Sequence, residues 1–116
     1  MPQTRIAGFL DYTIGNTLVL IRTFSAQTDT FTKFVHEPER VISALATDVA
    51  ISFCDVTTAG VIFIETDKQI SVKLDATTNT PTVVNSIYLA TTPATALFIS
   101  NANITDANLK ITIIGT

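Results

Sequence analysis

The chain has 116 residues, with seven Lys and Arg against ten Asp and Glu and a net charge of −3 at pH 7. That length suits one domain, able to bury a core without disulfide or metal, and the acidic balance excludes the clustered cations that a nucleic-acid partner requires. Thr, Ile and Val supply 44 of the 116 residues, the β-branched class that fits a pleated surface, and they predict an all-β fold.

Met1 to Arg5 is polar and unpatterned and reads as an N-terminal arm (residues 1–5) ahead of a single sandwich domain (residues 6–116). Ile6 to Ile14 and Thr17 to Phe24 are apolar runs flanking Gly15-Asn16, which predicts a hairpin ending near Ser25. Ser25 to Thr30 reads as a polar loop, Phe31 to Val35 alternates, and His36-Glu37-Pro38-Glu39-Arg40 gathers four ionisable groups around a proline and reads as a loop. Leu45, Thr47, Val49, Ile51 and Phe53 fall on one face of a half-buried strand that is expected from Asp48 onward, with Cys54 as a small buried hydrophobe at its end.

Val61 to Glu65 and Gln69 to Leu74 read as a hairpin joined through Thr66-Asp67-Lys68. Its inward set is Ile70, Val72 and Leu74, because a one-residue slip would bury the Lys73 charge. Asp75 to Pro81 is a polar loop, and strands at Val83 to Leu89, Ala96 to Ser100 and Leu109 to Ile114 bring the total to about eight. Short strands at this even spacing predict an antiparallel β-sandwich, jelly-roll-like in architecture.

The inventory for catalysis is thin. His36 is the one imidazole and has no candidate nucleophile beside it in sequence; Cys54 precedes Asp55, whose charge opposes thiolate formation. Asp55, Asp67, Asp75 and Asp106 sit at expected strand ends without the spacing of a calcium loop and read as turn formers. There is no Trp for stacking a sugar, and Tyr12 and Tyr88 lie inside apolar strands. The expectation is a non-enzymatic protein with no metal and no cofactor. The lone cysteine excludes an internal disulfide, and no apolar run has the 18 or so residues of a membrane span, so neither a membrane nor a nucleic-acid partner is expected. Asn103-Ile104-Thr105 matches a glycosylation acceptor by chance, since Met1 to Ile6 lacks the start of a secretory signal.

What the sequence does point to is association. Charged residues make up 15% of the chain, against about 25% in an average domain. Leu18 to Ile21, Val61 to Ile64 and Ala96 to Ile99 are apolar at consecutive positions, which places apolar side chains on both sheet faces. On this reading Leu18, Leu20, Ile62, Ile64 and Phe98 are the expected interface residues of a homo-oligomer, most simply a trimer, or of copies lodged between other subunits; a closed barrel or a covering loop would hide the same residues without an oligomer.

The stretch Val56-Thr57-Thr58-Ala59-Gly60-Val61-Ile62-Phe63-Ile64-Glu65-Thr66-Asp67 leading into Ile70-Ser71-Val72-Lys73-Leu74, with the later Ala96 to Ser100 and Leu109 to Ile114 strands, resembles small structural proteins of tailed bacteriophage particles. The resemblance covers about Thr47 to Thr116 and is one of style and strand order. It implies a non-enzymatic virion component, a capsid decoration or accessory protein or else a tail, neck or baseplate part, made in the bacterial cytoplasm and bound to other virion subunits. A glycan-binding module for host attachment is the alternative.

Overall fold

The computed structural model describes the backbone of residues 4–15, 17–28 and 31–116, and the side chains of these residues except 9–14 and 17–28. The chain divides into two compact units, Met1–Thr32 and Lys33–Thr116. In the first, strands β1 (Thr4–Ile14) and β2 (Thr17–Thr28) form an antiparallel hairpin. Gly15 closes it at φ +61°, a conformation that costs a residue without a Cβ little. The expected hairpin is therefore present and runs on to Thr28. Thr4 and Arg5, expected in a free arm, pair with Thr28 and Gln27, while Met1 to Gln3 lie outside the described residues.

The second unit holds eight strands: β3 (Lys33–Ile42), β4 (Val49–Ala50), β5 (Ala59–Thr66), β6 (Ile70–Leu74), β7 (Thr82–Val84), β8 (Ile87–Ala90), β9 (Leu97–Ser100) and β10 (Ala107–Gly115). Among the described residues there is no helix, hence none long and apolar enough to cross a membrane. The strands form two four-stranded antiparallel sheets, β3-β10-β5-β8 and β4-β9-β6-β7. The order has a simple origin. β3 pairs with β10, β4 with β9, β5 with β8 and β6 with β7, as in one long hairpin whose outgoing and returning arms pair rung by rung. Every junction except the β6-β7 turn crosses to the other sheet, and the added pairs β10-β5 and β9-β6 seal the wrapped ribbon. This is the jelly-roll order, drawn entirely from Lys33 onward rather than from Ile6.

The core lies between the two sheets. Leu109, Ile111 and Ile113 of β10 and Ile62 and Ile64 of β5 face Ile70 and Val72 of β6 and Leu97 and Ile99 of β9, all buried. Each such side chain contributes about 1.5–3 kcal/mol by transfer from water. Ile70 and Val72 point inward as expected, with Leu74 half-buried against the same cluster. Gly115 ends β10 where Ala59 and Thr58 close in; a Cβ there would collide with the Thr58 carbonyl oxygen.

Four expectations are corrected. First, β5 and β6 are not a hairpin: Thr66 to Gln69 carries the chain from one sheet to the other. The Thr66 hydroxyl donates to the Lys68 carbonyl at 2.8 Å and holds that corner. Second, Val83 to Leu89 is not one strand, because Asn85-Ser86 makes another crossing between β7 and β8. Third, the His36 to Arg40 loop is the middle of β3. Leu109 opposes Arg40 and Ile111 opposes Glu37, so Pro38 and Glu39 together face Lys110 as a bulge on an edge strand, one of the few places where a sheet accepts proline. Fourth, Cys54 is exposed, in a turn at φ +48°, with its N–H donating to Ser52 Oγ at 3.1 Å.

Candidate interaction face

The two outer faces of the jelly roll are built from the residues that alternate with the core set. On the β3-β10-β5-β8 sheet, cross-strand register lines up Phe34, Ile114 and Val61 in one row and His36, Thr112, Phe63 and Leu89 in the next. Lys110, Glu65 and Ile87 form a third row. Phe34 is 74% exposed, Ile87 62% and Leu89 40%, with Phe63 and Ile114 half-buried between them. An apolar band therefore runs diagonally over this face. Its water-exposed area, on the order of 400 Å², falls within the range of about 300–600 Å² for the largest patch on a typical soluble monomer, which is often functional.

Beside the band, at the β3 bulge, an open groove of about 510 Å³ is lined by residues that include Pro38, Glu39, Val41, Glu65, Asp67 and Lys110. Asp67 is not free to act there as a base. Its carboxylate accepts the Asn108 side-chain N–H at 3.0 Å and the Asn108 backbone N–H at 2.8 Å, and these bonds hold its pKa below the ordinary carboxylate value.

The outer face of β4-β9-β6-β7 has a different chemistry. Phe98 is half-buried there, directly opposite Lys73. Lys73 Nζ lies 3.1 Å from Asp48 Oδ1, and the Ser100 hydroxyl donates to the same oxygen at 3.3 Å while accepting the Asp48 N–H at 2.9 Å. This is a satisfied polar network.

The expected interface residues separate on this geometry. Ile62 and Ile64 are 1% and 0% exposed and belong to the core; of their neighbours on the other side of that strand Phe63 is half-buried and Val61 is itself buried. Four consecutive apolar residues leave the parity of a strand open, and the pairing of Ile64 with Ile111 and Ile62 with Ile113 settles it. Phe98 does point outward, on the polar sheet. The side chains of Leu18 and Leu20 lie outside the described residues, as does that of Tyr12. Tyr88 is half-buried on β8, where desolvation pushes its phenol pKa up.

Sequence reasoning missed Phe34, Ile87 and Leu89. Phe34-Val35 and Ile87-Tyr88-Leu89 carry the same signal as the runs it did single out, apolar side chains on successive residues.

The remaining polar groups mostly staple loops. Asp75 accepts the Thr95 N–H at 2.8 Å and Asp106 the Ala44 N–H at 2.9 Å. Asn101 is fully buried; its amide donates to the carbonyls of Ile42, Ser43 and Thr105 and its oxygen accepts from Asn103. Among the described residues no three His, Cys, Asp or Glu side chains gather as a metal site. His36 Nδ1 meets Thr112 Oγ1 at 2.9 Å, an imidazole beside a hydroxyl, on an exposed strand surface. No described carboxylate hydrogen-bonds this ring, and the two residues are directly opposite across β3 and β10, so the contact is a cross-strand pair. No protein-family model, no curated protein and no solved structure matches this chain.

Proposed function

We propose that the protein is a non-enzymatic structural component of a bacteriophage particle, a capsid decoration or accessory subunit that attaches to its neighbours through the outer face of the β3-β10-β5-β8 sheet. The observation that carries this reading is the apolar band of Phe34, Ile114, Phe63, Leu89 and Ile87 on a sheet whose opposite face already forms the core. A covered band of this size would supply the apolar part of one side of a standard interface, which buries about 800 Å² per partner. The jelly-roll order supports the reading because this architecture packs side by side in viral shells, although it serves other functions too.

The test is composition and rebinding. Mass spectrometry of purified particles of the encoding phage should find the chain as a stoichiometric component, with hundreds of copies indicating a capsid position and a few a tail or neck position. Recombinant protein should rebind particles stripped of it, and Phe34→Lys, which changes an exposed position, should stay folded and fail to rebind. Absence of the chain from purified particles would overturn the proposal.

A further inference from the structure

The two sheets have four edge strands, and an edge left open is a template for another strand. Three are guarded. β3 carries the Pro38-Glu39 bulge and places Glu37 and Arg40, ion-paired at 3.6 Å, opposite the inward residues Ile111 and Leu109. β4 is two residues long, and β7 is three residues long and follows Pro81. β8 is also short, at four residues, but it reads Ile87-Tyr88-Leu89-Ala90, without charge, proline or bulge, and among the described residues only β5 pairs with it.

The backbone defines what can sit there. The Thr66 N–H donates to the Ser86 carbonyl at 2.9 Å, so the alternation of an antiparallel ladder turns the N–H and C=O of Tyr88 toward Ile64 on β5. Those of Ile87 and Leu89 then face away from the sheet, where water bonds them or an extended strand can pair with them in register. A second copy of β8 has the matching spacing. With Tyr88 opposite Tyr88 of the second copy, each Ile87 pairs with the other copy's Leu89, and both pairs exchange two backbone hydrogen bonds. Directly opposite residues share a face, so the exposed Ile87 and Leu89 side chains cover one another, and the apolar band continues across the junction.

We propose that the chain forms a two-fold dimer by antiparallel pairing of β8 with β8, joining two β3-β10-β5-β8 sheets into one of eight strands. Such a contact uses the same patch on both copies and closes at two, which distinguishes it from the trimer that the apolar runs suggest. This deepens the structural reading above by assigning self-association to the sheet edge and leaving the outer face for the particle.

The experiment measures mass by sedimentation and light scattering. The wild-type chain should have twice the monomer mass at micromolar concentration. Leu89→Pro removes an N–H that faces the open edge and spares the β5 ladder, so it should keep its far-ultraviolet spectrum and run as a monomer. Ile87→Lys, at an exposed position, should do the same and serves where the proline variant fails to fold. In a Cys54→Ser background, Tyr88→Cys should form a disulfide-linked dimer on oxidation, since centrally opposed residues without hydrogen bonds lie within disulfide reach. A monomeric wild type overturns the proposal without touching attachment to particles, as does a dimer that survives both folded variants. Loss of particle attachment with the dimer intact instead contradicts the reading on which it rests.

Discussion

The two outer faces of the jelly roll start from the same rule and end differently. Both sheets turn alternate residues into one shared core, so each has an outward set of similar length. On β4-β9-β6-β7 that set includes Lys73, Ser100 and Asp48, which hydrogen-bond and ion-pair among themselves, with Ser71, the half-buried Phe98 and the exposed Val83 beside them. On β3-β10-β5-β8 it includes Phe34, Ile114, Phe63, Leu89 and Ile87, with the buried Val61 in line and with His36, Thr112, Lys110 and Glu65 among them. Core formation demands only one apolar face per sheet, so the polar face needs no partner to explain it. The second apolar band is where a partner would gain most, because covering it would recover stabilisation forgone in water.

The largest expected effect separates core from face within a single sheet. Ile64→Lys buries an unpaired charge opposite Ile111 and should abolish cooperative unfolding of the second unit, whereas Phe34→Lys should leave the melting temperature within a few degrees of wild type. Equal losses would show that the two faces have been assigned in the wrong sense. Next in size is Asn101→Ala, which strips the buried Ile42 carbonyl and the part-buried carbonyls of Ser43 and Thr105 of their donor and should cost about 2–3 kcal/mol in chemical denaturation. On the polar face, Lys73→Ala leaves Asp48 without its cation in a partly exposed setting and should cost about 1 kcal/mol, reduced by added salt.

The smallest effect is a titration at the groove. The folded Asp67 pKa is depressed by its bonds to Asn108, so its contribution to stability is present above the unfolded carboxylate value and is lost as pH falls through the folded one. Asn108→Ala should raise the Asp67 pKa toward its ordinary value in a carboxylate NMR titration. An unchanged pKa would show that the amide is not its cause.

Parts of this architecture are legible in the amino-acid order, for identifiable reasons. Ile70 and Val72 are readable as inward because Lys73 stands between Val72 and Leu74, and the alternative parity would bury a charge. The hairpin at Gly15 is readable because a short turn between two apolar runs leaves few other options. Val61 to Ile64 offers no such contrast, and only the pairing with β10 decides which two residues face the core. β3 was obscured by Pro38, which forbids a central strand but is accepted at an edge bulge. The crossings at Thr66 to Gln69 and Asn85-Ser86 look like ordinary turn residues, and nothing local tells a turn within one sheet from a corner between two. Cys54 followed an apolar strand but belongs to the turn after it, where a left-handed backbone turns its side chain to solvent. The candidate face was legible as a quantity, too many apolar residues for one core, but not as a place.

The most direct measurement is hydrogen exchange by mass spectrometry on the wild-type chain, free and bound to particles, at low and high concentration. Concentration should slow exchange across Ile87 to Ala90, and particle binding should add protection around Phe34 and Phe63, with Ser71 to Lys73 and Phe98 unchanged in both. Protection centred on β6 and β9, or none on β8 and the Phe34 face, would contradict the assignment of the β3-β10-β5-β8 sheet as the associating one.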